Sequence, residues 1–211
     1  MKFTKYHSIE NAYRQKFVDQ CHQLAIPEWV ALEKIHGCSF SFLVSNGEVF
    51  PAKRSSVIGK SPQGIYEFYG CSPVVEKYEH QVLALSKAIG QDIQLVGELY
   101  GQGVQKEINY GPKDFIAFDI MLKDGTFMDW ETVRSLCDNH NIPTAPELTR
   151  GTLEEMLAID QEFTSKLCSD AAEGLVIKPL TSGALLPYGE RPIIKNKSKA
   201  FSEKKEKKPK N

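Results

Sequence analysis

The tightest constraint on the fold is "SFSFLVSNGEVFPAKR", residues 39–54. Apolar and polar residues alternate on both sides of Asn46-Gly47, a dipeptide that tolerates positive φ, so the stretch is expected to form a two-residue hairpin. A lone hairpin is marginal in water, and further strands must pair with it or helices must cover it. The rest of the chain offers both. "IPEWVALEKI" turns extended just before the hairpin, "IQLVGELYG" and "DFIAFDIML" read as buried strands, and "EGLVIKPL" and "RPIIKNKS" follow, joined by the turn-rich "TSGALLPYGE". Helical spacing marks "SIENAYRQKFVDQCHQLAI" behind a Ser8 cap. In "VVEKYEHQVLALSKAIG" one face carries Val75, Tyr78, Val82, Leu85 and Ile89, with a stop at Gly90. "DWETVRSLCDNHN" follows an Asp124-Gly125 turn, and "TLEEMLAIDQEFTSKL" opens on a capping box of Thr152 and Glu155. Strands outnumber helices and do not alternate with them, which predicts an α+β domain of largely antiparallel sheets flanked by helices. With no internal repeat and no long linker, one domain is expected over residues 1–203, followed by a basic tail at 204–211 and no separate C-terminal domain.

Charge divides the chain where composition alone does not. The net charge is −1, yet the residues through Glu190 hold 17 Lys+Arg against 25 Asp+Glu, and those after it hold 9 against 2. A basic end on an acidic body attracts phosphate polymers, although a solvated lysine tail that only aids solubility has the same composition. No run approaches the 18 or so apolar residues of a membrane span, and the polar start carries no signal-peptide pattern. A soluble cytoplasmic protein is expected. The five cysteines are scattered and never form CxxC, so neither a disulfide framework nor a zinc site is signalled.

Charged residues recur on or beside the apolar strands: Glu33, Lys34 and His36, then Arg54, Glu98, Asp119, Glu173, Lys178, Lys195 and Lys197. Taken singly each has an ordinary explanation. Glu98 could be an exposed strand residue, Lys178 its partner, and His36 a satisfied turn histidine. Burying charge is costly unless it is paired, so as a set they should converge on one polar cleft suited to a polyanion. Strand alternation puts Lys195 and Lys197 on one face.

That set, in order, resembles the covalent nucleotidyltransferases, the superfamily of ATP-dependent polynucleotide ligases and RNA capping enzymes. "KIHG" at 34–37 is similar to the superfamily's nucleophile motif, and "ELYG", "FDI", "EGLVIKP" and "IIKNK" to its later ones. "EKIHG", "AKR", "GELYGQGVQK", "KDFIAFDI" and "KNKSKAFSEK" resemble more closely the RNA ligase 2 family of bacteriophage nick-sealing enzymes and the related editing ligases, over essentially the whole chain. The resemblance implies the ligase adenylation fold and an ATP-dependent RNA ligase acting in RNA repair, in the host cytoplasm if phage-encoded. It would join 3′-OH and 5′-phosphate ends through lysyl-AMP and then an adenylylated 5′ end. It also implies roles: Lys34 as nucleophile; Arg54 and Glu98 toward ribose and phosphate; Phe118 stacking on adenine; and Lys195 and Lys197 toward phosphates. Glu33, His36 and Lys178 are placed in the nucleotide site. Glu173 is directed to Mg²⁺, with Mn²⁺ as the alternative, and the partner is nicked duplex RNA or an RNA–DNA hybrid bound by a monomer.

The chemistry accounts for the residue types. Attack on the α-phosphate of ATP needs a neutral amine, and at a lysine pKa of about 10.4 only roughly one molecule in a few thousand is neutral at pH 7. Nearby cations, burial and a metal all disfavour the ammonium form, and Lys195 and Lys197 would also spread charge developing at phosphorus. Two departures from the family pattern stand out. Ser39 in "KIHGCSF" replaces a family asparagine and bears on substrate binding or a late step. The chain also stops just after "FSEKK", where full-length members continue into another domain, so it is either a truncated catalytic domain or a minimal ligase. A DNA ligase, a capping guanylyltransferase and an inactive nucleic-acid-binding module are the competing expectations.

Overall fold

The structure is a computed structural model and describes residues 1–202, so the basic tail expected at 204–211 lies outside the described residues. Strands from distant parts of the chain form two five-stranded sheets. In the first, β1 (Glu10–Asn11), β10 (Ile194–Lys197), β9 (Gly174–Pro179), β2 (Trp29–Glu33) and β8 (Glu147–Gly151) lie side by side in that order. In the second the order is β5 (Ser56–Val57), β4 (Glu48–Lys53), β3 (Gly37–Ser45), β6 (Ile93–Tyr100) and β7 (Asp114–Leu122). Only the β1–β10 pair is parallel; the other named pairs are antiparallel. The α+β expectation holds. The hairpin is β3–β4, with Ser45 opposite Glu48 and both Asn46 (φ 53°) and Gly47 (φ 79°) in the left-handed region that a tight hairpin turn demands.

Helices cover the sheets through two apolar clusters. The long α2 (Ser72–Ile89) and α3 (Trp130–Asn139) pack on the second sheet, where Tyr78, Val82 and Leu85 meet Phe40, Phe42 and Phe115. The shorter α1 (Gln15–His22) and α4 (Leu153–Leu157) cover the first sheet, with Phe17, Val18, Leu153 and Met156 against Trp29 and Ile177. Each such side chain, fully buried, stabilises the fold by about 1.5–3 kcal/mol. Strand β2 serves both clusters: Trp29 and Ala31 face one, Val30 and Leu32 the other, and all five of its residues are buried. Its successor β3 belongs to the other sheet, so Lys34, Ile35 and His36 form the crossover between the sheets.

Two helices differ from expectation. The first starts at Gln15, not behind Ser8, because Glu10–Asn11 pairs with β10 through Glu10 N–H to Ile193 O (3.2 Å) and Ala12 N–H to Lys195 O (2.9 Å). Backbone groups spent on a sheet edge cannot also start a helix. The helix opened by Thr152 has its capping box but ends at Leu157. Downstream, the Lys166 N–H and Ser165 hydroxyl bind the buried Glu33 carboxylate at 2.7 and 2.5 Å, which takes residues 165–166 out of helical pairing.

Candidate active site

Lys34 occupies the crossover because its own amide and its neighbours are fixed from both sheets. Its N–H donates to Gly174 O at 2.9 Å, at the start of β9, and Glu33 N–H donates to Pro146 O at 2.8 Å. Gly37 then begins β3 against β6, where a Cβ would lie 2.2 Å from the Leu99 carbonyl oxygen. Backbone approach of that kind leaves room only for hydrogen, which is the physical reason for glycine three residues after the lysine.

The Lys34 amine donates to Glu173 Oε2 at 3.0 Å, and the same oxygen lies 3.1 Å from His36 Nδ1. Lys197 Nζ reaches the other oxygen, Oε1, at 3.2 Å. Glu173 is buried, and burial by itself would raise its pKa; Lys34 first, and Lys197 and His36 with it, outweigh that and hold the carboxyl below its usual range. One carboxylate thereby gathers three of the residues that the sequence separates by up to 163 positions, Lys34, His36 and Lys197.

Beside Lys34 opens a slot with about 570 Å³ of space that is open to solvent at its mouth. Leu32, Phe118, Val176 and Ile193 give it apolar walls, while Lys34, Glu98 and Lys178 supply polar groups. A flat heteroaromatic base suits such walls. The slot shares Tyr6, Lys34, Glu98 and Phe118 with a wider groove of about 1660 Å³, lined also by Ser39, Arg54, Lys195 and Lys197. Arg54 is exposed there and donates to Ser8 Oγ at 2.8 Å; Ser39 sits opposite Glu98 across the β3–β6 ladder. The residues singled out in the sequence, apart from His36 and Glu173, thus border one connected cleft, and those two join it through the Lys34 amine that Glu173 accepts from. The Glu33 carboxylate is bound by Ser165 and Lys166, while Glu33 itself contributes to the slot lining.

Lys178 forms the floor through a group that the sequence exposed only in part. Its amine donates to Phe118 O at 2.7 Å and Asp119 Oδ1 at 2.9 Å and lies 4.6 Å from the centre of the Trp130 ring. Asp119, fully buried, also accepts from Arg191 Nη1 at 2.8 Å and from the Tyr6 hydroxyl at 2.5 Å. Burial draws the Lys178 pKa below its ordinary value against the pull of Asp119. Arg191 and Tyr6 escaped sequence reasoning, although Arg191 directly precedes the apolar "PII" and so carried the same signal, a charge abutting an apolar strand. Tyr6 packs edge-on to Phe118 with ring centres 5.5 Å apart and lines the slot beside it. Glu107 and Tyr110, which touch His36, had no distinguishing pattern.

Glu98 has the opposite electrostatics to Glu173. Burial raises its pKa to about 7, and the charge of Glu173 adds to this against the pull of Lys34 and Arg54. A carboxyl whose folded pKa lies above its unfolded value favours folding at low pH, and that advantage is lost as pH rises from the unfolded range toward 7. Glu98→Gln is therefore expected to stabilise the chain at pH 8 by up to about 2 kcal/mol, discounted because the side chain is only half-buried, and to do nothing at pH 4. Urea unfolding midpoints at the two pH values measure this; equal shifts at both would show that Glu98 is not perturbed.

Comparison with known proteins adds what geometry alone leaves open. The family model described as RNA ligase matches residues 27–197. The mitochondrial RNA-editing ligase 1 of Trypanosoma brucei brucei is 28% identical over 243 aligned positions, covering 85% of this chain and 51% of its own length. Two solved structures of Naegleria gruberi RNA ligase variants share the fold at 18% identity. A lysine-to-methionine variant with AMP and Mn has a TM-score of 0.72 over 94% of this chain and 57% of its own. A lysine-to-alanine variant with ATP and Mn has a TM-score of 0.73 over 95% and 58%. The chain thus spans about half the length of the curated relatives it matches. Among the described residues no helix is long and apolar enough to cross a membrane.

Proposed function

Since the chain belongs to the RNA ligase family, we propose that it joins RNA ends at the cost of ATP, carrying the adenylate on Lys34. The observation that supports this best is the Lys34 amine, which lies at the edge of a slot with base-sized apolar walls and is oriented by Glu173 at 3.0 Å. In the first step the amine, having lost a proton, attacks the α-phosphorus of ATP; a P–N bond forms and pyrophosphate leaves. In the second, a 5′-phosphate oxygen displaces the lysine, which regains its proton, and the adenylate passes to the RNA end. In the third, the 3′-OH attacks the activated phosphate and AMP departs.

Phe118 stacks the adenine, and Lys195 and Lys197, on the same strand, offset the phosphate charge, as does Arg54 from across the groove. Glu98 and Glu173 repel each other enough to help raise the former's pKa, and together they supply the hard oxygen donors that a divalent ion shared with substrate phosphates prefers. Mg²⁺ or Mn²⁺ bound there would neutralise charge on the leaving pyrophosphate. The wide groove with Lys53, Arg54, Lys195 and Lys197 on its walls fits a nucleic-acid backbone, and nicked RNA or an RNA–DNA hybrid is the substrate we assign to a monomer, with repair of RNA breaks as the use.

The test is incubation with α-labelled ATP or GTP and a divalent ion, a denaturing gel, and then a chase with nicked duplexes bearing RNA or DNA at the 3′-OH. Label from ATP that passes to the 5′ end and is followed by sealing at RNA supports the assignment. Label from GTP alone, or no label on folded protein, rejects it. Label from ATP with sealing only at DNA rejects the RNA specificity.

A further inference from the structure

Glu107 stands on the loop that joins β6 to β7, outside both the slot and the groove. Its side chain is 58% exposed, yet its carboxylate Oε2 lies 2.9 Å from His36 Nε2. Two further bonds tie the same loop to the crossover. Gln105 Nε2 donates to Gly37 O at 3.2 Å, and the His36 N–H donates to the Tyr110 hydroxyl at 3.1 Å. Three contacts from one loop thus converge on two successive residues just after Lys34.

The other nitrogen of the same ring, Nδ1, lies 3.1 Å from Glu173 Oε2, the oxygen that accepts from the Lys34 amine. Phe201 meets the imidazole at a ring-centre distance of 4.8 Å, tilted 61°. A histidine ring turns about its terminal bond in a broad, roughly two-fold well, and a half-turn exchanges a nitrogen for a carbon at each edge. With Glu107 on Nε2, that half-turn breaks two ring-nitrogen contacts instead of one.

We infer that Glu107 is a positioning residue for the nucleophile: it locks the His36 ring, the ring orients Glu173, and Glu173 holds the Lys34 amine in line for transfer. The inference rests on the lysyl-AMP reading above. The ring contact also draws the Glu107 carboxyl below its usual pKa. Displacing a reacting group by about 1 Å can slow transfer by roughly 10²-fold, and a loosened orienting chain acts within that limit.

The experiment is single-turnover labelling of the protein with α-labelled ATP over a range of concentrations, alongside thermal melting. Glu107→Ala should lower the maximal rate of adduct formation about 10-fold while moving the half-saturating ATP concentration by less than about twofold, because the lost orientation acts on chemistry and not on binding. Glu107→Gln keeps an oxygen that accepts from Nε2–H and should recover to within about threefold of wild type. Both should melt with wild type, since the side chain is largely exposed. Wild-type rates for Glu107→Ala, a change confined to half-saturation, or a glutamine variant as slow as alanine would each overturn the inference. Absence of any adduct on wild type would instead overturn the lysyl-AMP reading on which it rests.

Discussion

Lys34→Ala is expected to eliminate the covalent nucleotide, lowering labelling by at least about 10³-fold, because no other amine at the slot can substitute for a nucleophile fixed at the sheet crossover. Lys178 is committed to Phe118 O and Asp119, and Lys197 to Glu173. The variant should remain folded, since Glu173 keeps His36 and Lys197 as partners and is not left as a bare buried charge. Lys34→Arg separates charge from chemistry: it retains a cation for Glu173 yet cannot serve as an amine carrier, so it should fold like wild type and also stay unlabelled. Intact-mass measurement after exposure to ATP and a divalent ion reads the outcome. An adenylate adduct on either variant would move the carrier to another residue.

Asp119→Asn should be the most damaging single substitution for the fold itself. Asp119 is wholly buried and neutralises Lys178 and Arg191 together. Burial would raise its pKa, but Arg191 and then Lys178 outweigh that and hold it well below the usual carboxylate range. Removing the anion strands two buried cations, a change of the kind that costs about 3–5 kcal/mol. In a chain of this length that corresponds to a melting temperature lower by about 8–15 °C. The sign of the pH dependence follows from the depressed pKa: stability from Asp119 is present above the unfolded value of about 3.9 and is lost as pH falls through the folded one. The gap between wild type and variant should therefore be full at pH 7 and shrink below about pH 4. A gap that widens in acid would mean that the cluster does not hold Asp119 ionised.

The folding pattern was legible where local chemistry is strong. Asn46-Gly47 made its hairpin because few other residues accept two successive left-handed positions, and Gly90, at φ 81°, closed α2 for the same reason. The helix starting at Ser8 failed because its first residues had a better use as a sheet edge. The one opened by Thr152 stops at Leu157, and the stretch expected to continue it is used at 165–166 by a buried glutamate from a strand more than 130 residues away. In both cases the competing partner lies far along the chain, so no window of local periodicity contains it.

The candidate site divides along the same line. The order of charges on apolar strands established that a polar cleft must exist, since isolated burial of so many ions is prohibitive. It could not say which ion answers which. That Glu173 serves Lys34, His36 and Lys197 at once, and that Asp119 pairs with Lys178 and Arg191, is decided by the strand order β10-β9-β2 and by a crossover that carries β2 into the other sheet. Residue type and spacing are local properties that a sequence displays directly. Which charges come into contact depends on sheet register, and only the packed chain sets that.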